Sequence, residues 1–186
     1  MIKTLALGLA GFLCLALLTA ASVGGSEFTA PTPDEIADVE AQGDVKVTIE
    51  TDKGSIQLTL DGKRAPMTTA NFVKLARAGF YEGILFHRVE AAVVQAGCPQ
   101  GIGTGGPGYT IELEVHDELR NVTGAVGMAR SHDPHSAGSQ FYILKVDAPG
   151  LDGAYAIFGH VEKGMDVVRS LTADTVIEAV SIEAFE

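Results

Sequence analysis

The chain contains no tryptophan, and aromatic residues fill only 6% of its 186 positions. Cysteine is nearly absent: Cys14 lies in an apolar leader, and Cys98 alone remains beyond it. A disulfide within the folded part is therefore excluded, and the lone thiol is expected to be buried. Positive charge is scarce as well. Lys and Arg number 13 against 24 Asp and Glu, a net charge of −11. So acidic a chain disfavours nucleic acid and anionic membrane as partners. Metal-ligand spacing is missing too, and His132-Asp133-Pro134-His135 reads as a solvated loop, so no metal is expected. The glycines from Gly103 to Gly108 lack a Gly-Lys-Ser/Thr ending and feed no helix, which argues against a nucleotide. No cofactor is expected.

What is present falls into three parts. Met1-Ile2-Lys3 opens with a positive charge, Leu5 to Leu18 is uncharged and apolar, and Thr19-Ala20-Ala21-Ser22 offers small residues. That order marks residues 1–21 as a secretory signal, and the chain as exported, periplasmic or otherwise extracytoplasmic. The apolar run is shorter than the roughly 20 residues of a spanning helix, so cleavage is expected. If uncleaved, the segment would tether the chain to a membrane. Residues 22–43 contain Pro31, Pro33 and several acidic residues with few large apolar ones, and read as a linker. Residues 44–186 form the folded domain, long enough for one real core.

Within that domain, Val45, Val47 and Ile49 alternate with polar residues, Thr51-Asp52-Lys53-Gly54 makes a turn, and Ile56, Leu58 and Leu60 alternate again. This predicts a β-hairpin. Between Pro66 and Gly79 the apolar residues change to helical spacing, with Thr68 or Thr69 as N-cap. Short β-rich runs follow at 83–89, 93–97, 109–112, 124–129, 140–146 and 155–161. A short helix is expected at 165–171 and a final strand at 176–182. Many short strands with two helices suggest a closed or nearly closed antiparallel barrel.

Two runs stand out. Phe86-His87-Arg88 and Gly138-Ser139-Gln140-Phe141-Tyr142 each carry one strongly hydrogen-bonding side chain, Arg88 and Gln140, beside aromatic residues. A guanidinium and an amide beside an apolar shelf can hold a peptide by its carbonyls or amide nitrogens. Neither run offers a good nucleophile, so the pattern points to recognition and strain rather than bond-making. His87, inside its β run, reads as a satisfied core histidine.

The ordered motifs Ala65-Pro66…Asn71-Phe72, Phe86-His87-Arg88-Val89, Gln95-Ala96-Gly97, Gly103 to Tyr109, Met128-Ala129-Arg130, Ser136 to Tyr142, Leu151-Asp152-Gly153 and Phe158-Gly159 resemble the cyclophilins, above all their bacterial branch. The likeness runs from Val45 to the C-terminus. It implies a mainly β fold, a closed eight-stranded antiparallel barrel capped by two helices, with a site on an outer groove. It also implies peptidyl-prolyl cis-trans isomerase activity on proline-containing polypeptides, and a monomer. Rotation about an X-Pro bond faces a barrier near 18–20 kcal/mol, although cis and trans differ by only about 0.5–1 kcal/mol. A donor aimed at the prolyl nitrogen strengthens as the bond twists and the lone pair develops, which is binding specific to the transition state. Arg88, always charged, is the candidate donor. Gln95 and Gln140 are expected to fix the peptide carbonyls and Arg88. By resemblance the proline pocket comes from Val93, Tyr142 and Leu151, with the Tyr155 ring able to line it as well, and Ala129-Arg130 is the stretch that pairs with bound peptide.

Three departures from the family's pattern concern the pocket. The segment between Arg88 and Gln95 is one residue short, with Ala91-Ala92 where a Pro-Gly-Phe or Pro-Asn-Phe piece is usual. The missing aromatic wall forfeits roughly 1–3 kcal/mol of ring burial. Gly150 precedes Leu151 where Trp or Phe is common, and Tyr155 stands where many eukaryotic relatives have His. A proline-peptide binding module or chaperone with weak or no isomerase activity is therefore the alternative expectation.

Overall fold

The computed structural model describes residues 28–183, so the expected signal at residues 1–21 lies outside them. The chain order is α1 (Pro33–Gln42), β1 (Asp44–Thr51), β2 (Gly54–Asp61), α2 (Pro66–Arg77), β3 (Arg88–Val89), β4 (Val93–Ala96), β5 (Ala125–Met128), β6 (Phe141–Leu144), β7 (Ile157–Lys163), α3 (Met165–Ser170) and β8 (Ile177–Ile182). The β1–β2 hairpin forms as its alternation predicts. Val45, Val47, Ile49, Ile56, Leu58 and Leu60 are all buried, and Thr51 pairs with Gly54 across a two-residue turn.

All strand pairs are antiparallel, in the order β3-β4-β6-β5-β7-β2-β1-β8. This pairing makes one eight-stranded antiparallel ladder with β3 and β8 at its ends. The segment leading into β3 still meets the start of β8. Leu85 bridges Val176, and Phe86 N–H donates to the Thr175 carbonyl at 3.0 Å. A sheet whose edge segments touch must be curled. Much of the run expected as strand from Gly83 makes these bonds to the start of β8 and enters a strand only at Arg88. The 109–112 run contributes a single bridge, Ile111–Ala137.

The helix α2 buries Phe72, Val73, Leu75 and Ala76. Phe72 stacks on Tyr81 with centroids 4.8 Å apart and meets Phe141 edge-on at 5.4 Å. Its N-terminus differs from expectation. The N-cap position is Ala65, which has no side-chain acceptor, while Thr68 and Thr69 lie inside the helix. Glu114 caps it from a distant loop, accepting the Met67 and Thr68 N–H groups at 3.1 and 2.7 Å. An acidic side chain there also suits the helix dipole.

The stretch read as linker contains α1, a third helix. Its composition is poor in large apolar residues, but Thr32 and Glu35 make a reciprocal capping box (3.3 and 2.7 Å) with Pro33 at the first helical position. Val39 is buried, and Glu35 pairs with Lys74 of α2 at 2.9 Å. The helix end docks on Gly62, where a Cβ would sit 2.3 Å from the Gly43 carbonyl oxygen. Capping and docking supply what propensity and hydrophobicity lack.

Candidate active site

Arg88 and Gln95 face each other directly across the β3–β4 pair, and Gln95 is opposite Tyr142 across β4–β6. Register alone therefore sets three expected site residues in a row. Their side chains are joined. Arg88 Nη1 donates to Gln95 Oε1 at 3.3 Å, Gln95 Nε2 donates to Gln140 Oε1 at 2.9 Å, and Gln140 Nε2 donates to the carbonyls of Gly103 and Gly105 at 2.9 and 2.8 Å. The ends of this relay dictate its polarity. Carbonyl oxygens only accept, so the Gln140 amide must turn its NH2 to them and its oxygen to Gln95. Gln95 must then turn its own oxygen to a guanidinium that only donates. Gln140 spends both N–H donors on the glycine loop, so it acts on Arg88 through Gln95.

Beside the relay lies the apolar shelf. Val93, Tyr142, Ala125, Leu144 and Ile157 form a small buried cluster of their own, flanked by the half-buried Ala129 and Tyr155. Tyr142 meets Tyr155 edge-on with centroids 6.0 Å apart, and its hydroxyl donates to Asn121 Oδ1 at 2.8 Å. Burial pushes the Tyr142 pKa well up, so the ring stays neutral. The ring lies over Gly127, where a Cβ would come within 2.4 Å of Tyr142 Oη. Asn121 is held in turn by Asp152, whose Oδ1 accepts its backbone N–H at 2.7 Å and its amide at 3.0 Å. Leu151 ends the 3-10 turn Pro149–Leu151 and is half-buried. Its N–H donates to the Ala148 carbonyl at 2.9 Å, and Ala148 packs on this cluster. Gly150 adds nothing to the wall and is exposed.

The relay also borders a groove of about 510 Å3, lined among others by Gln95, Thr104, Ala129, Arg130, Ser131 and Gln140. The Ala129 N–H donates to the Gln140 carbonyl at 2.9 Å, which ties the groove wall to β6. Arg130 is pinned. Its Nε donates to the Ala154 carbonyl at 2.9 Å, and its guanidinium carbon sits 4.6 Å from the Tyr155 ring centre. Asn71 of α2 braces the groove from below, accepting from the Tyr109 hydroxyl and donating to the Gly138 carbonyl, both at 2.7 Å. The glycine loop is anchored by Cys98. This buried thiol takes the Gly105 N–H at 3.2 Å. Burial pushes its pKa up, but surrounding backbone N–H groups from Gly105, Ile102, Gly103 and Gln100 outweigh that and lower it.

His87 departs from its expected role as a satisfied core residue. It is half-buried, and neither ring nitrogen makes a hydrogen bond of good geometry. Burial foremost holds its pKa below the ordinary histidine range. Sequence reasoning also missed Asn121, Gly127 and Glu90. Asn121 and Gly127 act only through the fold, whereas Glu90 stood in plain view two residues from Arg88. Its carboxylate receives Arg88 Nε at 2.8 Å and Nη2 at 3.0 Å.

Set beside known proteins, residues 46–184 match the family described as cyclophilin type peptidyl-prolyl cis-trans isomerase/CLD. A peptidyl-prolyl cis-trans isomerase of Helicobacter pylori (strain ATCC 700392 / 26695) is 43% identical over 150 residues, covering 78% of this chain and 91% of that one. Peptidyl-prolyl cis-trans isomerase B of Bacillus subtilis (strain 168) is 41% identical over 134 residues, covering 71% and 93%. Among solved structures, a Cryptosporidium parvum cyclophilin type isomerase superposes with a TM-score of 0.71 at 28% identity, over 76% of this chain and 98% of that one. The same protein solved in the presence of the dipeptide Ala-Pro gives 0.70 at 29% identity, over 75% and 99%. Fold and overall sequence agree, and the chain belongs to the cyclophilin-type peptidyl-prolyl cis-trans isomerases.

Proposed function

We propose that this chain accelerates cis-trans rotation of X-Pro bonds in proline-containing polypeptides outside the cytoplasm, with Arg88 as the donor to the twisting nitrogen. The observation that carries the assignment of roles is the relay from the glycine loop through Gln140 and Gln95 to Arg88, alongside the Val93–Tyr142 shelf. An ordered guanidinium beside an apolar surface can meet the prolyl nitrogen while the ring is buried. Ordering before substrate arrives is what lets such a donor favour the transition state. Val93, Tyr142 and Tyr155 supply the surface for the ring, with Leu151 at its margin. Ala129 and Arg130 border the groove where the rest of the peptide would lie. Closure of the curled sheet into a full barrel belongs to this reading as well, supported by the Leu85–Val176 bridge. Export rests on the leader's charge and apolar pattern.

The test is proline-limited refolding together with exchange between cis and trans peaks of an X-Pro peptide by NMR. Arg88→Ala is expected to lower kcat/KM by about 10²–10³-fold, the usual consequence of losing a transition-state donor. Full activity in the variant would remove Arg88 from catalysis. A second reading, a proline-peptide binder of weak activity, is favoured by the pocket rim. Ala91 and Ala92 are both exposed and offer only methyl groups where a ring could stand. Peptide shift changes without exchange enhancement would select it.

A further inference from the structure

We infer that Glu90 is a positioning residue for the isomerase reaction, clamping the Arg88 guanidinium in the orientation that presents its terminal N–H groups to substrate. This inference rests on Arg88 being the donor proposed above. Arg88 lies on a two-residue edge strand, and its side chain is about half exposed (50%). A long, flexible side chain in such a place is costly to order. The relay supplies only one hydrogen bond to it, from Nη1 to Gln95 at 3.3 Å, which lets the guanidinium plane swivel. Glu90 removes that freedom. Its two carboxylate oxygens receive Nε at 2.8 Å and Nη2 at 3.0 Å, a fork-on-fork pair that fixes the plane. Five N–H groups are available on a guanidinium. Glu90 takes two and Gln95 one, leaving one on each terminal nitrogen uncommitted.

The shortened segment after Arg88 is what makes this contact. With Ala91-Ala92 as the whole loop, the Glu90 N–H closes the turn on the Val93 carbonyl at 2.8 Å. The turn is tied down again where the Lys145 N–H meets the Ala92 carbonyl at 2.8 Å. Glu90 then stands two residues from Arg88 on the same face of the chain, as strand periodicity requires. The same two-residue loop that removes an aromatic wall therefore supplies an anchored carboxylate.

The test uses full-length protein and compares Glu90→Ala and Glu90→Gln with wild type and Arg88→Ala. Glu90 is exposed at a turn, so both variants are expected to fold. Glu90→Ala is expected to lower kcat roughly two- to five-fold, the scale of an exposed ion pair, with KM unchanged. Glu90→Gln, keeping one acceptor, should fall between. The NMR signal of the Arg88 Nε–H, protected by Glu90 in wild type, should broaden or vanish in Glu90→Ala. Unchanged or raised kcat in Glu90→Ala, while Arg88→Ala is strongly impaired, would overturn the role of Glu90 and leave the isomerase assignment standing. A change confined to KM would also overturn it. Arg88→Ala retaining full activity would instead defeat the assignment on which it rests.

Discussion

Replacing Gln140 with glutamate tests the polarity of the relay at its anchor. In the native protein the Gln140 amide donates to the Gly103 and Gly105 carbonyls at 2.9 and 2.8 Å and accepts from Gln95 at 2.9 Å. Glutamate is nearly the same shape, but when ionised it has no donor. Two hydrogen bonds worth about 1 kcal/mol each are lost, and a negative oxygen faces carbonyl lone pairs. The bond from Gln95 becomes charge-assisted and returns roughly 1 kcal/mol. Gln140→Glu should therefore be about 1–3 kcal/mol less stable than wild type at pH 7, read as a shift in the urea midpoint at unchanged slope. Acid reverses the penalty. The folded site disfavours the ionised carboxylate, so its folded pKa lies above the unfolded value near 4.3. The penalty is full above the folded pKa and disappears below the unfolded one, where a protonated carboxyl can again donate to a carbonyl. The difference from wild type should thus shrink between pH 7 and about pH 4. Equal stability of the two proteins at pH 7 would mean the Gln140 NH2 does not face the glycine loop, and the derived orientation of Gln95 and Arg88 would fall with it.

Two further outcomes are expected. A methyl at Gly127 would lie 2.4 Å from Tyr142 Oη and Cζ, so Gly127→Ala should push the ring off the shelf, break its bond to Asn121 and cost about 2–4 kcal/mol; a cost below 1 kcal/mol by urea unfolding would show that the shelf is soft. The Asp152 pKa is lowered first by the Asn121 backbone N–H and then by its amide, so its stabilisation is present above the unfolded pKa near 3.9 and is lost as pH falls through the lower folded value. Acid unfolding of Asp152→Asn should consequently be less steep than that of wild type below about pH 4, and identical curves would refute the coupling.

Much of the site was legible because it is written locally. Arg88, Gln95, Gln140 and Tyr142 sit in short motifs readable one at a time, whereas the registers Arg88↔Gln95 and Gln95↔Tyr142 that set them side by side came only with the paired strands. The hairpin β1–β2 was legible for the same reason, since alternation over eight residues leaves only one face to bury. The helix α1 was not. Its composition argues for a linker, and it forms because Thr32 and Glu35 cap it and because α2 lies ready to receive Val39. Glu90 was passed over because a carboxylate near an arginine on a surface is ordinarily a solvated charge, and only the tight turn makes it a clamp.

The sequence by itself determined the family, the hairpin, α2 and the set of polar residues beside the shelf, because each depends on side-chain chemistry or on periods of a few residues. Only the tertiary structure decided which way the relay points, what caps α2, what lies beneath Tyr142 and how the sheet's edges meet. Each of those is a contact between segments distant along the chain, such as Glu114 with Thr68 or Gly127 with Tyr142. Short-range pattern carries no information about such a contact until the backbone has brought the two ends together.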